Sequence, residues 1–267
     1  MPTATLPLSP PHHDRAAVAA FYAEHGFYHA RGVLDPATVA TLERDFDRIV
    51  EQLVRSGEVI NARWGNDTTT ALDGGGTEVI HTHQVQKYSA AWARMLYDDR
   101  ALDVVESVMG SSDIAMHHTK LFLKPAGRGA AFPPHQDHGY FPTVAHSMMA
   151  MNVILTPQDD DNGCLRIWPG SHRCGPQPRS MGDDAAFAAR FPMAESVPLV
   201  SEPGDLVIFS YLTVHASLPN RGQRTRKHVL VQLFDGKDRM HSEGHPCSNL
   251  VLRGWNHHMT REGANCS

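Results

Sequence analysis

The sequence contains little cysteine, no long apolar run and no excess of basic charge. Four cysteines in 267 residues form no Cys-x-x-Cys pair, so we expect reduced thiols and no disulfide bond. No apolar stretch approaches the roughly 20 residues of a membrane-spanning helix, and the first residues lack the pattern of a signal peptide. A formal net charge of -5 argues against nucleic-acid and membrane-surface binding. We therefore expect a cytoplasmic protein with a small-molecule substrate, either a monomer or a homodimer.

The first part of the chain is predicted to be helical. We expect an unstructured leader over residues 1–14, rich in proline and small residues, followed by a single domain over residues 15–267. Helix formers recur over residues 16–24, the segment FYHARGV predicts a strand, and two helices are expected over residues 90–97 and 101–109. The clearest helix begins at Asp35-Pro36, and its apolar residues at helical spacing are Val39, Leu42, Phe46, Ile49, Val50 and Leu53.

After Ser112 the pattern changes to short apolar or alternating runs separated by turn residues. Such runs predict strands, and many short strands indicate a sandwich or barrel whose outer face is covered by the early helices. We therefore predict a mostly β fold with flanking helices. The runs are IAMHHTKLFLKP, SMMAMNVIL, CLRIWPG, DLVIFSYLTVH and HVLVQLFDG.

Histidine is abundant, with 18 copies, and the pattern His-x-Asp/Glu occurs three times. On an extended strand, residues two apart point to the same side, so an imidazole and a carboxylate can converge on one metal ion. His135 and Asp137 have this context, because they lie between two apolar strands. The other two pairs lie in the leader and in a loop-like segment, and they are His12 with Asp14 and His241 with Glu243.

A third ligand is expected on a later strand. His215 ends the apolar run DLVIFSYLTV, and two histidines with one carboxylate leave three coordination positions open, as in non-haem iron(II) oxygenases. Arg226 begins the next strand, which we expect to neighbour that of His215, so its guanidinium can clamp a carboxylate in the same cavity. Arg224 is the rival for this role, and the basic turn around both arginines could instead be a solvated loop.

Taken together, the segments HHTKLFLKP, PPHQDHGYF, NGCLRIWPGSH, PGDLVIFSYLTVHAS and PNRGQRTR resemble the phytanoyl-CoA dioxygenase-like family of iron(II)/2-oxoglutarate-dependent oxygenases. The resemblance implies a double-stranded β-helix, also called a jelly roll and cupin-like, with its core over about residues 113–235. It also implies Fe(II) as the metal and 2-oxoglutarate and O₂ as co-substrates.

Residue by residue, the resemblance implies that the iron ligands are His135, Asp137 and His215. It implies further that the co-substrate is bound by Arg226, Ser217, His118 and Asn152. Halogenating relatives have Gly or Ala in place of the aspartate, so its presence favours hydroxylation of a small organic molecule, with 2-oxoglutarate and O₂ converted to succinate and CO₂. The Ala-, Arg- and Gly-leaning composition fits bacterial specialised metabolism.

Several alternatives stay open at this point. His118 can equally be a core histidine, and its neighbour His117 is expected to face the opposite way. The enzyme could be a cupin-like metal-dependent isomerase, an oxygenase that does not use 2-oxoglutarate, or a non-catalytic binding module. The substrate, and the choice among hydroxylation, desaturation, cyclisation and epimerisation, are not determined by the sequence. Four aromatic residues are candidates either for substrate contacts or for the core, namely Tyr140, Phe141, Trp168 and Trp255.

Overall fold

The computed structural model describes residues 6–61, 63–64, 67–68, 78–178, 185–241 and 247–265. The helices are α1 (Arg15–His25), α2 (Pro36–Ser56), α3 (Ala90–Met95), α4 (Asp99–Met109), α5 (Ala185–Arg190) and α6 (Arg261–Asn265). The strands are β1 (Phe27–Ala30), β2 (Arg63–Trp64), β3 (Asp67–Thr68), β4 (Ile80–His83), β5 (Ile114–Lys124), β6 (Phe132–His135), β7 (Met149–Ile154), β8 (Leu165–Ile167), β9 (Val197–Pro198), β10 (Leu206–Ser210), β11 (His215–Ser217), β12 (Arg226–Asp235) and β13 (Leu250–Arg253).

The long helix α2 begins and ends where its sequence indicates. The Asp35 carboxylate accepts hydrogen bonds from the backbone N–H groups of Ala37 and Thr38, which have no partner within the helix. Gly57 ends the helix in the left-handed region with φ 73°, a conformation that glycine adopts without steric cost. The predicted helix is confirmed, and its apolar stripe is buried.

Two antiparallel sheets form the β core. The large sheet has the strand order β1-β10-β7-β12-β5-β13, with β4 also paired to β5, and the small sheet has the order β6-β11-β8-β9. Apolar side chains of both sheets meet between them, including Phe209 from β10 and Ile167 from β8. This is the predicted double-stranded β-helix.

The two faces of the large sheet have different partners because side chains alternate along a strand. On β7, Met149, Met151 and Val153 pack in one cluster with the buried face of α2, whereas Ala150 and Ile154 face the small sheet. The helices therefore cover one face of the large sheet, and the other face is available to line a cavity.

The apolar run DLVIFSYLTVH is not one strand. Its first half is β10 in the large sheet, and His215 begins β11 in the small sheet after a turn at residues 211–214. We expected the run to form one strand that ends at His215, and this expectation was wrong. Arg226 begins β12, which pairs with β5 and β7 rather than with β11, so Arg226 does not lie on a strand next to that of His215. A continuous apolar run carries no signal for a crossover between sheets.

The beginning and end of the chain add contacts to this core. Residues 6–14, within the predicted leader, contain no helix or strand, but Ser9 Oγ accepts a hydrogen bond from His29 N–H and Tyr28 Oη donates to the Pro10 carbonyl. β1 and β13 lie outside residues 113–235 and extend the large sheet. The described cysteines, Cys164, Cys174 and Cys247, are free thiols. No helix in the described ranges has the length and apolarity to cross a membrane.

Candidate metal centre

Pairing between β6 and β11 brings the predicted ligands together. His215 lies directly opposite His135 in this antiparallel pair, and Asp137 follows β6 at the start of a short 3-10 turn. The Asp137 Oδ1 atom lies 3.7 Å from His135 Nε2 and 3.6 Å from His215 Nε2. The potential ligand atoms of all three residues lie within 4.8 Å of one another. One ion can therefore be reached by two imidazoles and one carboxylate.

Backbone carbonyls orient both imidazoles. His135 Nδ1 lies 2.8 Å from the Pro133 carbonyl oxygen, and His215 Nδ1 lies 2.9 Å from the Thr213 carbonyl oxygen. A carbonyl only accepts hydrogen bonds, so each Nδ1 carries the proton and each Nε2 presents a lone pair towards Asp137. This tautomer is the one that a metal ligand requires.

Gln136 holds the segment between the two ligands of β6 in place. Its side chain donates hydrogen bonds to the carbonyl oxygens of Leu212 (2.6 Å) and Gly175 (3.1 Å) and accepts one from Gln177 N–H (2.8 Å). The backbone of Gln136 is extended, with φ -115° and ψ 142°. His135 and Asp137 consequently point to the same side, as the spacing predicts.

Burial favours the uncharged forms of His135 and Asp137. Burial, together with the charge of His215, lowers the pKa of His135 well below its usual value, and burial raises the pKa of Asp137. A neutral imidazole is the metal-binding form, and a cation beside a carboxylate reverses the effect of burial on that carboxylate. The donor set fits a divalent transition metal that keeps open coordination positions.

The three residues lie at the wall of a cavity of about 920 Å³ between the two sheets, which Arg226 also lines. Arg226 is buried, its Nε donates to Gln158 Oε1 (2.9 Å), and its Nη1 donates to the Gly163 carbonyl (2.5 Å). No acidic side chain in the described ranges forms an ion pair with it. Burial lowers the pKa of Arg226 to about 10. An anionic ligand is the partner that such a guanidinium lacks.

The turn that holds Arg226 requires glycine. Gly163 has φ +71°, and a Cβ atom there would lie 2.2 Å from the Leu218 carbonyl oxygen. The turn NGC thus brings a carbonyl close to the guanidinium without a steric clash. Arg224, the rival, is exposed and forms an ion pair with Asp159, so it does not face the cavity.

Ser217 and Lys124 lie beside Arg226. Lys124 is directly opposite Arg226 in the pairing of β5 with β12, and its Nζ donates to Ser217 Oγ (2.6 Å) and to the Leu218 carbonyl (2.8 Å). Because Ser217 Oγ accepts from an ammonium group, its own hydroxyl hydrogen is available for an acceptor in the cavity. Both side chains are buried and line the cavity.

His118 lines the cavity. We expected His117 to face the opposite way, and it does not. The Nδ1 atoms of the two rings lie 2.7 Å apart, within hydrogen-bonding distance. The reason is an irregularity in β5: Gln232 pairs with His118 and Leu233 with Met116, so His117 is an extra residue in the ladder. A bulge of this kind breaks the strict alternation of side chains.

Two of the four candidate aromatic residues line the cavity, and two do not. Tyr140 and Phe141 belong to its wall. Trp168 packs with Phe187 and Phe191 in a separate apolar cluster, and Trp255 is 67% exposed after β13. The expectation that these two tryptophans line the cavity was therefore wrong, because neither belongs to its wall.

The remaining histidine motifs do not form a second centre in the described part of the chain. Asp14 caps α1 by accepting from Ala17 N–H, and His12 is exposed. His241 is exposed as well, whereas Glu243 lies outside the described residues. The C-terminal pair His257 and His258 is at the surface.

Sequence reasoning missed several polar side chains on the cavity face of the large sheet. Lys120 and Lys124 alternate with buried apolar residues on β5, a period-two pattern that indicates a shared face. Gln232 and Asn152 also line the cavity, and in both side chains buried amide atoms have no hydrogen-bond partner in the part of the chain that the structure describes. Asn152 was expected near the co-substrate, whereas Lys120, Lys124 and Gln232 could have been predicted from the alternation of side chains along their strands.

A double-stranded β-helix with two histidines and one aspartate around an open position defines the class of non-haem iron oxygenases. The chain matches the family model for phytanoyl-CoA dioxygenase (PhyH) over residues 22–228. It therefore belongs to the phytanoyl-CoA dioxygenase family, as its motifs indicate.

Characterised relatives agree with this assignment, and similar solved structures share the fold. The chain is 28% identical over 224 residues to the 1-deoxypentalenic acid 11-beta-hydroxylase of Streptomyces exfoliatus, covering 78% of this chain and 75% of the relative. It is 28% identical over 229 residues to the peroxisomal phytanoyl-CoA dioxygenase of Bos taurus, covering 80% and 67%. The fold is similar to the epimerase SnoN, solved with Fe³⁺ and alpha ketoglutarate, with TM-score 0.69, 24% identity and coverage of 86% and 87%. It is also similar to EctD from S. alaskensis, with TM-score 0.68, 20% identity and coverage of 94% and 88%.

Proposed function

We propose that this protein is an Fe(II)/2-oxoglutarate-dependent dioxygenase that hydroxylates a small organic molecule. The observation that carries the proposal is the pairing of two features in one cavity. His135, Asp137 and His215 point their donor atoms at one position, and Arg226 is buried in the same cavity with no acidic partner among the described residues. An iron ion and a dicarboxylate complete both features.

In this proposal the distal carboxylate of 2-oxoglutarate is bound by Arg226 and Ser217. Arg226 is fixed by Gln158 and Gly163, and Ser217 is fixed by Lys124, with its hydroxyl hydrogen free to donate to the carboxylate. A guanidinium held in this way loses little conformational freedom when it forms charge-assisted hydrogen bonds. The side chains that recognise the co-substrate are thus arranged before it binds.

The protein contributes orientation and exclusion of water. The Pro133 and Thr213 carbonyls hold the two imidazoles in the metal-binding tautomer, and Phe141 and Leu230 provide apolar wall. Iron with 2-oxoglutarate supplies oxidation of a substrate carbon by O₂, with succinate and CO₂ as co-products. Because Asp137 occupies the position that halogenating relatives leave open, we propose hydroxylation as the outcome.

The substrate is proposed to be a small organic molecule of bacterial specialised metabolism. A cavity of about 920 Å³ lies within the range of small-molecule sites. The hydroxylase of Streptomyces exfoliatus among the relatives supports this setting. We propose a cytoplasmic monomer or homodimer.

Anaerobic reconstitution tests the proposal. The purified protein with Fe(II) and 2-oxoglutarate should develop the weak visible charge-transfer band of an iron-chelated 2-oxo acid, and admission of air should yield succinate. The variant His215→Ala should give neither signal. A wild-type protein that binds Fe(II) but shows no band with 2-oxoglutarate and forms no succinate would refute the proposal.

A further inference from the structure

The cavity contains a cation that the proposed co-substrate does not neutralise. Lys120 lies on the cavity face of β5 and lines the cavity. No hydrogen bond or ion pair joins its Nζ to a described residue; the ammonium lies 4.7 Å above the centre of the Phe122 ring. An aromatic ring orients a lysine but leaves its three donors unused.

Charge balance indicates what is missing. Asp137 is the only acidic residue among the described residues that line the cavity. A divalent metal, Asp137, Arg226, Lys124 and a doubly charged dicarboxylate together still carry one positive charge, and Lys120 adds a second. Asp137 attracts Lys120 but is also the carboxylate of the metal centre, so the cavity keeps an excess of positive charge, and an uncompensated charge away from water is costly.

Lys120 also lies apart from Arg226 and Ser217, the two residues that are proposed to bind the distal carboxylate of 2-oxoglutarate. It is four residues from Lys124, which is the partner of Arg226 in β12, and four residues of strand span about 13 Å. The two carboxylate carbons of 2-oxoglutarate are separated by four carbon–carbon bonds of about 1.5 Å each, and hence by less than about 6 Å. The backbone of Lys120 therefore lies beyond the length of a 2-oxoglutarate anchored at Arg226, which leaves room for a second ligand at this level of the strand.

Neighbouring amides point to the same conclusion. Lys120 and Asn152 flank Leu230 on its two sides, and Gln232 is the next residue of β12 on the same face. Gln232 is only 1% exposed, lines the cavity, and has no partner among the described residues for either amide atom. Asn152 Oδ1 is likewise buried with no partner in the described ranges. Buried amides in a cavity wall are costly unless water or a polar ligand pairs with them.

From this arrangement we infer that Lys120, with Asn152 and Gln232 beside it, forms an anion subsite for the primary substrate, which is an organic acid bearing a carboxylate or a similar oxyanion. This inference moves Asn152, which the family resemblance assigns to the co-substrate, to the primary substrate. The inference rests on the proposed function. The ammonium binds the oxyanion, and the two amides bind polar groups next to it. Neutral analogues of the substrate would leave the lysine unpaired and bind more weakly.

Matched acids and amides test this inference. The anaerobic protein, loaded with Fe(II) and saturated with 2-oxoglutarate, is titrated at constant ionic strength with phenylacetate, hexanoate and their primary amides, and the change in the visible band is followed. We expect at least one acid to bind about tenfold or more tightly than its amide, since a hydrogen bond to a charged group contributes about 1.5–3 kcal/mol. Lys120→Met should abolish this preference, and Lys120→Arg should retain it. Lys87→Met, at an exposed lysine outside the cavity, is the matched control.

Three outcomes overturn the inference. These are equal binding of acid and amide, no saturable change with either acid, and a Lys120→Met variant whose affinity falls for 2-oxoglutarate rather than for the acid. The last result assigns Lys120 to the co-substrate. If the wild-type protein shows the 2-oxoglutarate band but no acid preference, only the anion subsite is refuted. Absence of the band refutes the proposed function itself.

Discussion

At the scale of single residues, the site consists of side chains whose partners fix them in one orientation. The Nδ1–H groups of His135 and His215 are committed to backbone carbonyls, and Arg226 is held by Gln158 and Gly163. Fixing these rotamers before ligands arrive lowers the entropy lost on binding. The Nε2 atoms of both imidazoles remain as the metal-binding atoms, and the guanidinium of Arg226 lines the cavity.

Arg226→Met should raise the dissociation constant for 2-oxoglutarate by roughly 100-fold, since it removes charge-assisted hydrogen bonds worth about 1.5–3 kcal/mol each. The measurement is an anaerobic titration of the Fe(II) protein, followed at the visible band, with thermal unfolding to verify the fold. Arg224→Met is the matched control, because Arg224 is exposed and paired with Asp159. Equal effects of the two substitutions would argue against the assignment of Arg226.

At the scale of secondary-structure elements, β1 and β10 are tied together by one buried carboxylate. Asp205, just before β10, accepts hydrogen bonds from Gly32 N–H (2.8 Å) and Glu202 N–H (2.9 Å), and its Oδ2 lies 2.8 Å from His29 Nε2. Burial by itself raises the pKa of Asp205, but the hydrogen bonds from His29 and from the two backbone groups outweigh it, so the net shift is downward.

This shift predicts an acid-sensitive contribution to stability. Because the pKa of Asp205 is lower in the folded than in the unfolded state, its contribution is complete above the unfolded value of about 4 and is lost as the pH falls through the folded value. Asp205→Asn should therefore lower the free energy of unfolding by about 1–3 kcal/mol at pH 7 and by much less at the acid end. Urea unfolding of both proteins between neutral pH and pH 3 measures this, and a difference that does not change with pH contradicts it.

At the scale of the whole molecule, the site exists only because two sheets face each other. The metal centre belongs to the small sheet through β6 and β11, whereas Arg226, Lys120 and Gln232 belong to the large sheet. The helices cover the other face of the large sheet, so the fold directs the polar side chains inward. Ligands that contact both sheets should therefore stabilise the entire domain.

Thermal unfolding checks this expectation. Mn(II), which resists oxidation in air, together with 2-oxoglutarate at about 100 times its dissociation constant should stabilise the native state by about 2.7 kcal/mol. For a chain of this size that raises Tm by about 5–10 °C. 2-Oxoglutarate without metal should give a smaller shift, and in His135→Ala the addition of Mn(II) should not increase that shift. An equal shift in the His135→Ala variant would place ligand binding elsewhere.

Much of the fold follows from local patterns. Three features depend only on neighbours within a few residues and can therefore be predicted from the sequence: the N-cap and apolar stripe of α2, the short strands after Ser112, and the spacing of His135 with Asp137. Two features cannot be predicted in this way, because they arise from pairing with distant strands. These are the break between β10 and β11 and the bulge at His117. The expected cavity contacts of Trp168 and Trp255 were wrong because packing between distant segments decides where an aromatic side chain lies.

The sequence by itself determined the chemical types at the site and the periodicity that builds the elements, because those depend on residue identity and short-range backbone geometry. Only the tertiary structure decided which side chains share the cavity. It placed His215 opposite His135 across a strand pair and chose Arg226 over Arg224. It also turned Lys120 and Gln232 towards the same space. Strand register and the packing of sheet on sheet are set by contacts between residues far apart in the chain, and no local pattern encodes them.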